Sequence, residues 1–168
     1  MRWQPAYVGL GSNLDDPCGQ LRWAMAKLKQ RSDIRSLTCS GIYLSAPMGP
    51  PDQPDFHNAV CGLLTSLSAA NLLSVLHELE AQRGRRRGQR WGPRTLDLDL
   101  LVYGRELSDR TELRLPHPGV HERSFVLYPL AEIAPALEIP GRGRVSQLAA
   151  ACGRQGLQRY ADTGDSDT

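Results

Sequence analysis

The sequence predicts an α+β fold with a ferredoxin-like sheet core and helices packed on it, giving three αβα layers. Residues 6–44 have the pattern strand, helix, strand, and residues 58–103 repeat that order without repeating the sequence itself. Two such units that share one antiparallel or mixed sheet form a ferredoxin-like core. A length of 168 residues and a hydrophobic share of 40% suit one continuous core, so a two-domain protein is not expected.

The first unit begins with a short buried strand over residues 6–10. An aspartate followed by Pro17 is a start signal for a helix, and apolar side chains then recur at helical spacing to about Arg31. A strand over residues 37–44 completes the unit.

The second unit begins with a strand over residues 58–67. Ser68 is a suitable N-cap for the helix that follows, and Gly84 is a suitable end. A strand over 96–103 completes the unit. Between the two units, residues 46–55 contain four prolines, which cannot join the interior of a sheet, so we expect a surface loop there.

Beyond the two units, the sequence predicts an extended segment over 113–118, a helix over 120–131 and a final helix over 146–158. We therefore expect a single domain over residues 1–160. Residues 161–168 form a polar tail, which we expect to be frayed and without function.

The charges of the chain nearly cancel, with 20 basic and 18 acidic residues and a formal net charge of +2. Overall charge therefore does not favour binding to nucleic acid or to a membrane surface. Only Lys27 and Lys29 are lysines, so the other basic residues are arginines. Arginine pairs with two phosphate oxygens at once, which makes local arginine clusters informative.

The sequence also predicts a cytoplasmic protein. Its first residues lack an apolar core long enough for a secretion signal, and polar residues interrupt the most apolar stretch, 59–76. The four cysteines are far apart and form no CxxC pair. We therefore expect them to be buried free thiols in a reducing compartment.

A pair of aspartates provides the first candidate for chemistry. Asp97 and Asp99 lie two residues apart on a predicted strand, so their carboxylates point to the same face, and the leucines between and beside them bury the other face. Two carboxylates there could hold one Mg²⁺ ion, or two ions bridged by substrate phosphates. The alternative is an edge strand with a solvated acidic face.

An arginine-rich segment directly precedes the aspartates. Six arginines and no acid fall within residues 83–94, at positions 83, 85, 86, 87, 90 and 94. Facing a triphosphate, they could neutralise the charge that develops in phosphoryl transfer, and three glycines would let the segment close as a lid. The alternative is a basic loop that binds nothing or touches RNA nonspecifically. Nearby carboxylates favour the nucleotide site, which needs both signs of charge.

Other phosphate and ring contacts are candidates as well. His117, between two prolines, and Arg123 could reach a ligand phosphate, or they could be structural. Phe56 and Phe125, the two phenylalanines of the chain, could stack on a flat heterocycle, or Phe56 could merely anchor its loop. No G-x-x-x-x-G-K-[ST] motif is present, so a P-loop is excluded.

Four segments occur in a characteristic order: Gly-Leu-Gly-Ser-Asn-Leu at 9–14, Gly-Pro-Pro-Asp-Gln-Pro-Asp-Phe-His-Asn at 49–58, the arginine and aspartate segment at 90–101, and Leu-Pro-His-Pro with Arg-Ser-Phe over 115–125. Together they resemble the 6-hydroxymethyl-7,8-dihydropterin pyrophosphokinase family of folate biosynthesis, over roughly residues 6–140. The resemblance implies transfer of pyrophosphate from ATP to the hydroxymethyl group of the pterin, with release of AMP.

The resemblance also implies roles for individual residues. The catalytic group would be Arg85, Arg94, Asp97 and Asp99, with Asp97 and Asp99 holding two Mg²⁺ ions. The ATP contacts would be His77, Glu80, Arg87, Trp91, Arg94, His117 and Arg123. The pterin contacts would be Ser45, Ala46, Met48, Phe56, Asn58, Asp97 and Phe125, with the two phenylalanine rings on either side of the pterin.

The sequence departs from the family pattern at a few positions. Phe56 stands where tyrosine is frequent, and Glu112 stands near a position where a basic residue can help to hold ATP. Two other functions remain open at this point: a paralogue that acts on a related pterin alcohol, and a non-enzymatic RNA-binding module that uses the arginine segment. We expect a monomer whose partners are its small-molecule substrates, with no nucleic acid and no membrane.

Overall fold

The computed structural model describes residues 2–47, 52–84 and 95–160. In chain order the elements in those ranges are β1 (Gln4–Ser12), α1 (Pro17–Lys29), β2 (Ile34–Cys39), β3 (Tyr43–Ser45), β4 (Phe56–Thr65), α2 (Ala69–Gln82), β5 (Asp97–Tyr103), β6 (Ser108–Arg110), β7 (Leu113–Leu115), α3 (Ser124–Ile133), β8 (Glu138–Ile139), β9 (Gly143–Arg144), α4 (Val145–Cys152) and β10 (Gln158–Arg159). The predicted tail over 161–168 lies outside the described residues.

One six-stranded sheet organises the fold. Its order is β10-β3-β4-β1-β5, and β2 pairs with β4 beside β3. All of these pairs are antiparallel, and β4 and β1 lie at the centre. The two predicted strand, helix, strand units therefore share one sheet, which confirms the α+β fold. The hairpins β6–β7 and β8–β9 form separate small sheets.

Helices cover both faces of the sheet. Ala6, Val8 and Leu10 alternate along β1 and are buried in one apolar cluster with α1 and α2. Tyr7, between them, packs instead into a second cluster with α3 and α4. The alternation follows from the two-residue period of a strand. It produces the three αβα layers that the sequence predicts.

The helix boundaries of the two units follow the predicted signals. The Asp16 side chain caps α1 by accepting a hydrogen bond from the Gly19 N–H, and the Ser68 hydroxyl caps α2 by accepting one from the Asn71 N–H. Gly84 follows the end of α2 with a φ of 82°, a left-handed conformation that glycine adopts readily. Among the helices of the described ranges, none has the length and apolar character needed to cross a bilayer.

The predicted strand over 37–44 is wrong, because this segment belongs to two strands, β2 and β3. The regular β2–β4 register ends at Cys39. The Ser40 N–H still donates to the Val60 carbonyl at 2.9 Å, but the Val60 N–H donates to the Ser40 hydroxyl at 3.0 Å. That hydrogen bond satisfies a buried donor of β4 where no backbone carbonyl pairs with it. The break makes β3 a short separate strand next to the start of β4.

The last two predicted helices have different bounds in the structure. The helix predicted over 120–131 begins only at Ser124, because residues 120–122 form turns after Gly119, whose φ is 84°. The helix predicted over 146–158 ends at Cys152, before Gly153 with a φ of 74°. Residues 158–159 form β10 instead and extend the sheet beyond β3.

The expectation of four free thiols is wrong for two of the cysteines. Cys39 of β2 lies directly opposite Cys61 of β4, and the two form a disulfide. Cys18 and Cys152 are free as predicted, but both are partly exposed, so the prediction that they are buried is wrong. Spacing along the chain does not indicate this pair, because only the register of β2 against β4 places the two residues side by side.

We expect protein prepared without a reductant to show two reactive thiols, because the other two cysteines are bonded to each other. The measurement is alkylation in urea followed by mass spectrometry, since unfolding makes burial irrelevant to the count. Reduction before alkylation should raise the count to four. Four labelled cysteines without prior reduction would contradict the disulfide.

The apolar layer between α2 and the sheet should contribute strongly to stability. Leu76 is fully buried, so Leu76→Ala leaves a cavity and should lower the free energy of unfolding by about 2–5 kcal/mol. Leu107 is 67% exposed, so Leu107→Ala serves as the matched control and should change the free energy of unfolding by less than about 0.5 kcal/mol. Urea denaturation of both variants measures the difference, and equal effects would place Leu76 outside the core.

Candidate active site

A cleft of about 120 Å³ opens where β1, β4 and β5 face the start of α3. We call it the aromatic cleft, because the rings of Phe56 and Phe125 line it together with Asn58 and Asp97. Phe56 is the first residue of β4, and Phe125 lies in the first turn of α3. Its mainly apolar lining with a few polar groups is typical of small-molecule sites.

The floor of the aromatic cleft is formed by a row of residues across three strands. Gly11 of β1 pairs with Asn58 of β4 on one side and with Asp97 of β5 on the other. A β-carbon at Gly11 would lie 3.5 Å from Asn58 Oδ1 and 3.8 Å from Phe56 Cδ1. Glycine therefore leaves space between the polar groups and the ring. Gly11 belongs to the segment at 9–14 that carries the family resemblance, but it was not among the predicted site residues.

The Asn58 amide has a defined orientation. Its Nδ2 donates a hydrogen bond to Ser45 Oγ at 2.8 Å, and Ser45 lies on β3 opposite Phe56. The amide oxygen is the atom that a β-carbon at Gly11 would approach most closely, and Asn58 and Gly11 both line the cleft. Asn58 can therefore present an acceptor to a ligand in the aromatic cleft.

The loop before Phe56 is held by a second amide. Asn13 Nδ2 donates to Gln53 Oε1 and to the Pro54 carbonyl, both at 2.9 Å. Asn13 and Gln53 are both buried. Sequence reasoning did not select either residue, although both belong to the segments that carry the family resemblance.

The two aspartates project from the same face of β5, as their spacing predicts. Asp97 and Asp99 are partly exposed, whereas Leu98 between them is buried. The Leu98 N–H donates to Glu80 Oε2 at 2.7 Å, and Glu80 is 2% exposed on α2. A buried carboxylate thus fastens β5 to α2 between the two aspartates.

A second cleft lies on the other side of Asp99. We call it the histidine cleft, because His77 and His117 line it with Glu80 and Asp99. Asp99 lines the aromatic cleft as well, so the two clefts meet at this carboxylate. A molecule in one cleft can therefore approach a molecule in the other beside the aspartate pair.

His117 lies close to the junction of the clefts. Its Nε2 is 3.8 Å from Asp99 Oδ1, and its Nδ1 is 2.8 Å from the Pro118 carbonyl oxygen. Burial lowers the pKa of His117, and the charge of Arg123 lowers it further, against smaller opposite effects of Pro118 and Asp97. The ring is therefore neutral at pH 7, and Nδ1–H donates to the Pro118 carbonyl.

Other charged residues lie around the clefts. Arg123 lines the aromatic cleft, with its guanidinium 5.9 Å from the centre of the Phe125 ring. Glu112 lines the histidine cleft and accepts a hydrogen bond from Arg110 at 2.8 Å. The guanidinium of Arg110 offsets the negative charge of Glu112. Glu112 stands near a position where the resemblance leads one to expect a basic residue.

The aspartate pair has the ligands that suit Mg²⁺, and it does not resemble a metal site enclosed by protein side chains. Mg²⁺ takes one or two protein carboxylates and fills its other positions with water or substrate phosphates. Over 2–47, 52–84 and 95–160, no group of three or more histidine, cysteine, aspartate or glutamate side chains could enclose a metal ion. A metal ion at Asp97 and Asp99 would therefore need further ligand oxygens from water or a substrate.

The structure brings most of the predicted site residues to the two clefts. The aromatic cleft is lined by Ser45, Ala46, Phe56, Asn58, Asp97, Asp99, Arg123 and Phe125. The histidine cleft is lined by His77, Glu80, Asp99 and His117. Five predicted residues lie outside the described ranges: Met48, Arg85, Arg87, Trp91 and Arg94.

Residues 7–135 match the family described as 7,8-dihydro-6-hydroxymethylpterin-pyrophosphokinase. A protein of Pseudomonas aeruginosa named 2-amino-4-hydroxy-6-hydroxymethyldihydropteridine pyrophosphokinase is 44% identical over 156 residues, which cover 93% of this chain and 96% of that protein. A protein of Haemophilus influenzae with the same name is 46% identical over 143 residues, covering 85% and 89%.

The fold also matches a solved structure, that of Plasmodium falciparum HPPK-DHPS with pteroate. The TM-score is 0.64 at 12% sequence identity, over 89% of this chain. This chain spans 42% of that longer chain. At such low identity the match supports the fold alone.

Proposed function

This chain belongs to the 7,8-dihydro-6-hydroxymethylpterin-pyrophosphokinase family, and from that premise we propose that its aromatic cleft takes the pterin and its histidine cleft takes ATP. The activity is pyrophosphoryl transfer from ATP to hydroxymethyldihydropterin in folate biosynthesis, by an ATP-dependent diphosphotransferase. The observation that supports this assignment is that Asp99 lines both clefts, with Asp97 beside it.

The aromatic cleft suits a flat, polar bicycle. In the proposal Phe56 and Phe125 stack on its two faces, because aromatic rings favour offset face contacts. The Asn58 amide oxygen accepts from the donor edge of the pterin, and Ser45 keeps that amide in position. Ala46 and Met48 complete the proposed contacts, and Asp97 lies at the end where the hydroxymethyl group would approach the phosphates.

The histidine cleft supplies the proposed contacts to ATP. His77, Glu80 and His117 line it, and Arg123 reaches from the neighbouring cleft. The neutral His117 can contact a phosphate oxygen or the nucleotide without adding charge of its own. Arg87 and Trp91 belong to the ATP contacts on the strength of the family resemblance.

Asp97 and Asp99 are the proposed Mg²⁺ ligands, since family members use ATP with Mg²⁺. We propose two ions, each completed by phosphate oxygens of ATP. Bound Mg²⁺ would neutralise phosphate charge and polarise the phosphorus that is attacked. The two carboxylates fix where the phosphates lie, because β5 is anchored by the sheet and by Glu80.

In this proposal catalysis depends on the positioning of the two substrates and on the stabilisation of charge on the transferring group. Phosphoryl transfer passes through a loose transition state that needs little covalent help from the protein. The two clefts bring the hydroxymethyl oxygen and the phosphate chain together beside Asp99, which lowers the entropic part of the barrier. Arg85 and Arg94 are the proposed catalytic arginines, because guanidinium groups stabilise charge on the transferring group.

The family assignment also bears on the RNA-binding function that the sequence alone left open. Family membership favours the enzyme over a module that binds RNA through the arginine segment. We propose a monomer that acts in the cytoplasm, where ATP is available.

Loss of either aspartate should abolish most of the activity. We expect Asp97→Asn and Asp99→Asn each to lower turnover by about a hundredfold or more, because bound metal contributes several kcal/mol to lowering the barrier. The measurement is AMP release with ATP, Mg²⁺ and the reduced pterin. Asp109→Asn, an exposed position on β6, is the matched control. Turnover within about twofold of wild type in either site variant would disprove the metal assignment.

The proposed role of Arg94 in the transition state predicts a particular kinetic pattern. We expect Arg94→Ala to lower kcat by about a hundredfold and to change the Kd for ATP by much less, because the interaction is strongest as charge develops. Steady-state kinetics and calorimetry with a non-hydrolysable ATP analogue measure the two quantities. The exposed Arg142→Ala serves as the control. A defect confined to ATP binding would contradict the transition-state role.

A further inference from the structure

The two rings of the aromatic cleft belong to different parts of the fold. Phe56 is carried by the central sheet, whereas Phe125 is carried by α3, which packs against the sheet. The space between the rings therefore depends on how α3 is held relative to β3 and β4. The hydrophobic effect is non-directional, so a hydrogen bond between α3 and the sheet adds a directional constraint on that spacing.

A polar contact fastens the far end of α3 to the sheet. Glu132 lies about two helical turns after Phe125, on the same side of the helix. Its Oε1 accepts a hydrogen bond from the Tyr43 hydroxyl at 2.7 Å, and its Oε2 accepts one from the Gly41 N–H at 3.1 Å. The two oxygens of one carboxylate thus hold Tyr43 of β3 and Gly41, two residues before the strand begins.

The strand held by Glu132 is the one that supports the cleft. Tyr43 pairs with Asn58 in the β3–β4 ladder, and Ser45 pairs with Phe56. Ser45 in turn accepts the hydrogen bond that orients the Asn58 amide. A shift of β3 would therefore move Ser45, Asn58 and the surroundings of Phe56 together.

The last described strand completes this contact. Arg159 of β10 pairs with Tyr43 in the β10–β3 ladder, and its guanidinium lies 5.3 Å from the centre of the Tyr43 ring. Its Nη1 is 3.5 Å from Glu132 Oε1, so the charge of the carboxylate has an opposite charge nearby. Burial and the hydrogen bond to Glu132 raise the pKa of Tyr43, which therefore remains a donor at neutral pH.

We propose that Glu132 is a positioning residue for the pterin: by joining α3 to Tyr43 and Gly41 it sets the spacing between Phe125 and Phe56. The inference rests on the proposed pterin site. It assigns no contact between Glu132 and either substrate, since Glu132 acts through β3 and α3. Its removal should therefore weaken pterin capture and leave the histidine cleft unchanged.

The test compares Glu132→Ala, Glu132→Gln and Tyr43→Phe by steady-state kinetics of AMP release. In Glu132→Ala, KM for the pterin should rise about tenfold, because binding of the pterin must then restore a ring spacing that the carboxylate no longer holds. Glu132→Gln keeps one acceptor oxygen. Tyr43→Phe keeps the Gly41 hydrogen bond and the ring under Arg159. The increase in KM for the pterin should therefore be smaller in these two variants. KM for ATP should remain within twofold in all three.

Glu138→Gln is the matched control, because Glu138 is an exposed glutamate of β8 that pairs with Arg144. It should leave both KM values unchanged. Equal increases in KM for both substrates would overturn the inference, as would a lower kcat with both KM values unchanged, which indicates only a loss of folded enzyme. If Glu132→Ala does not fold, Tyr43→Phe decides: an unchanged KM for the pterin contradicts the role of Glu132.

A failure of the proposed function gives a different result. If wild-type protein does not release AMP, the assigned activity is wrong, and calorimetric pterin binding then replaces KM in the same comparison. Weaker pterin binding in the two mild variants would still support the inference. Wild-type protein that neither binds the pterin nor turns it over would overturn both proposals.

Discussion

The pairing of β1 with β4 on one side and β5 on the other is the constraint on which both clefts depend. It aligns Asn58, Gly11 and Asp97 across three strands. A slip of one residue in either ladder would turn one member of this row to the opposite face of the sheet, because side chains alternate along a strand. The buried alternation of Ala6, Val8 and Leu10 fixes the register, so the same apolar residues that stabilise the core also place the polar groups of the site.

The helices packed on the sheet contribute site residues that the sheet does not carry. The sheet carries Phe56 and the aspartates, but the second ring comes from α3 and the floor of the histidine cleft comes partly from α2. Two buried or half-buried glutamates connect these helices to the sheet: Glu80 binds the backbone of β5, and Glu132 binds β3. Directional hydrogen bonds of this kind fix positions that apolar contacts would leave adjustable.

Local patterns were enough to predict the parts of the structure that local forces determine. The Asp16 and Ser68 caps, the shared face of Asp97 and Asp99, and the paired strand, helix, strand units all depend on residues close together in sequence. The errors concern long-range pairing or glycine geometry. Gly153 ends α4 and frees the chain to form β10, and Cys39 meets Cys61 only through the β2–β4 register. The contacts of Asn13 with Gln53 and of Glu132 with Tyr43 likewise join distant segments, so no spacing rule reveals them.

The short strand β10 has a consequence for how the molecule behaves among copies of itself. A strand at the border of a sheet presents unpaired N–H and C=O groups, which can add a strand from another chain and begin aggregation. β10 covers this border of β3 with only two residues, Gln158 and Arg159, both polar and exposed. Brevity and positive charge discourage a further strand from joining there. The same arginine that neutralises Glu132 therefore also protects the β3 side of the sheet from self-association.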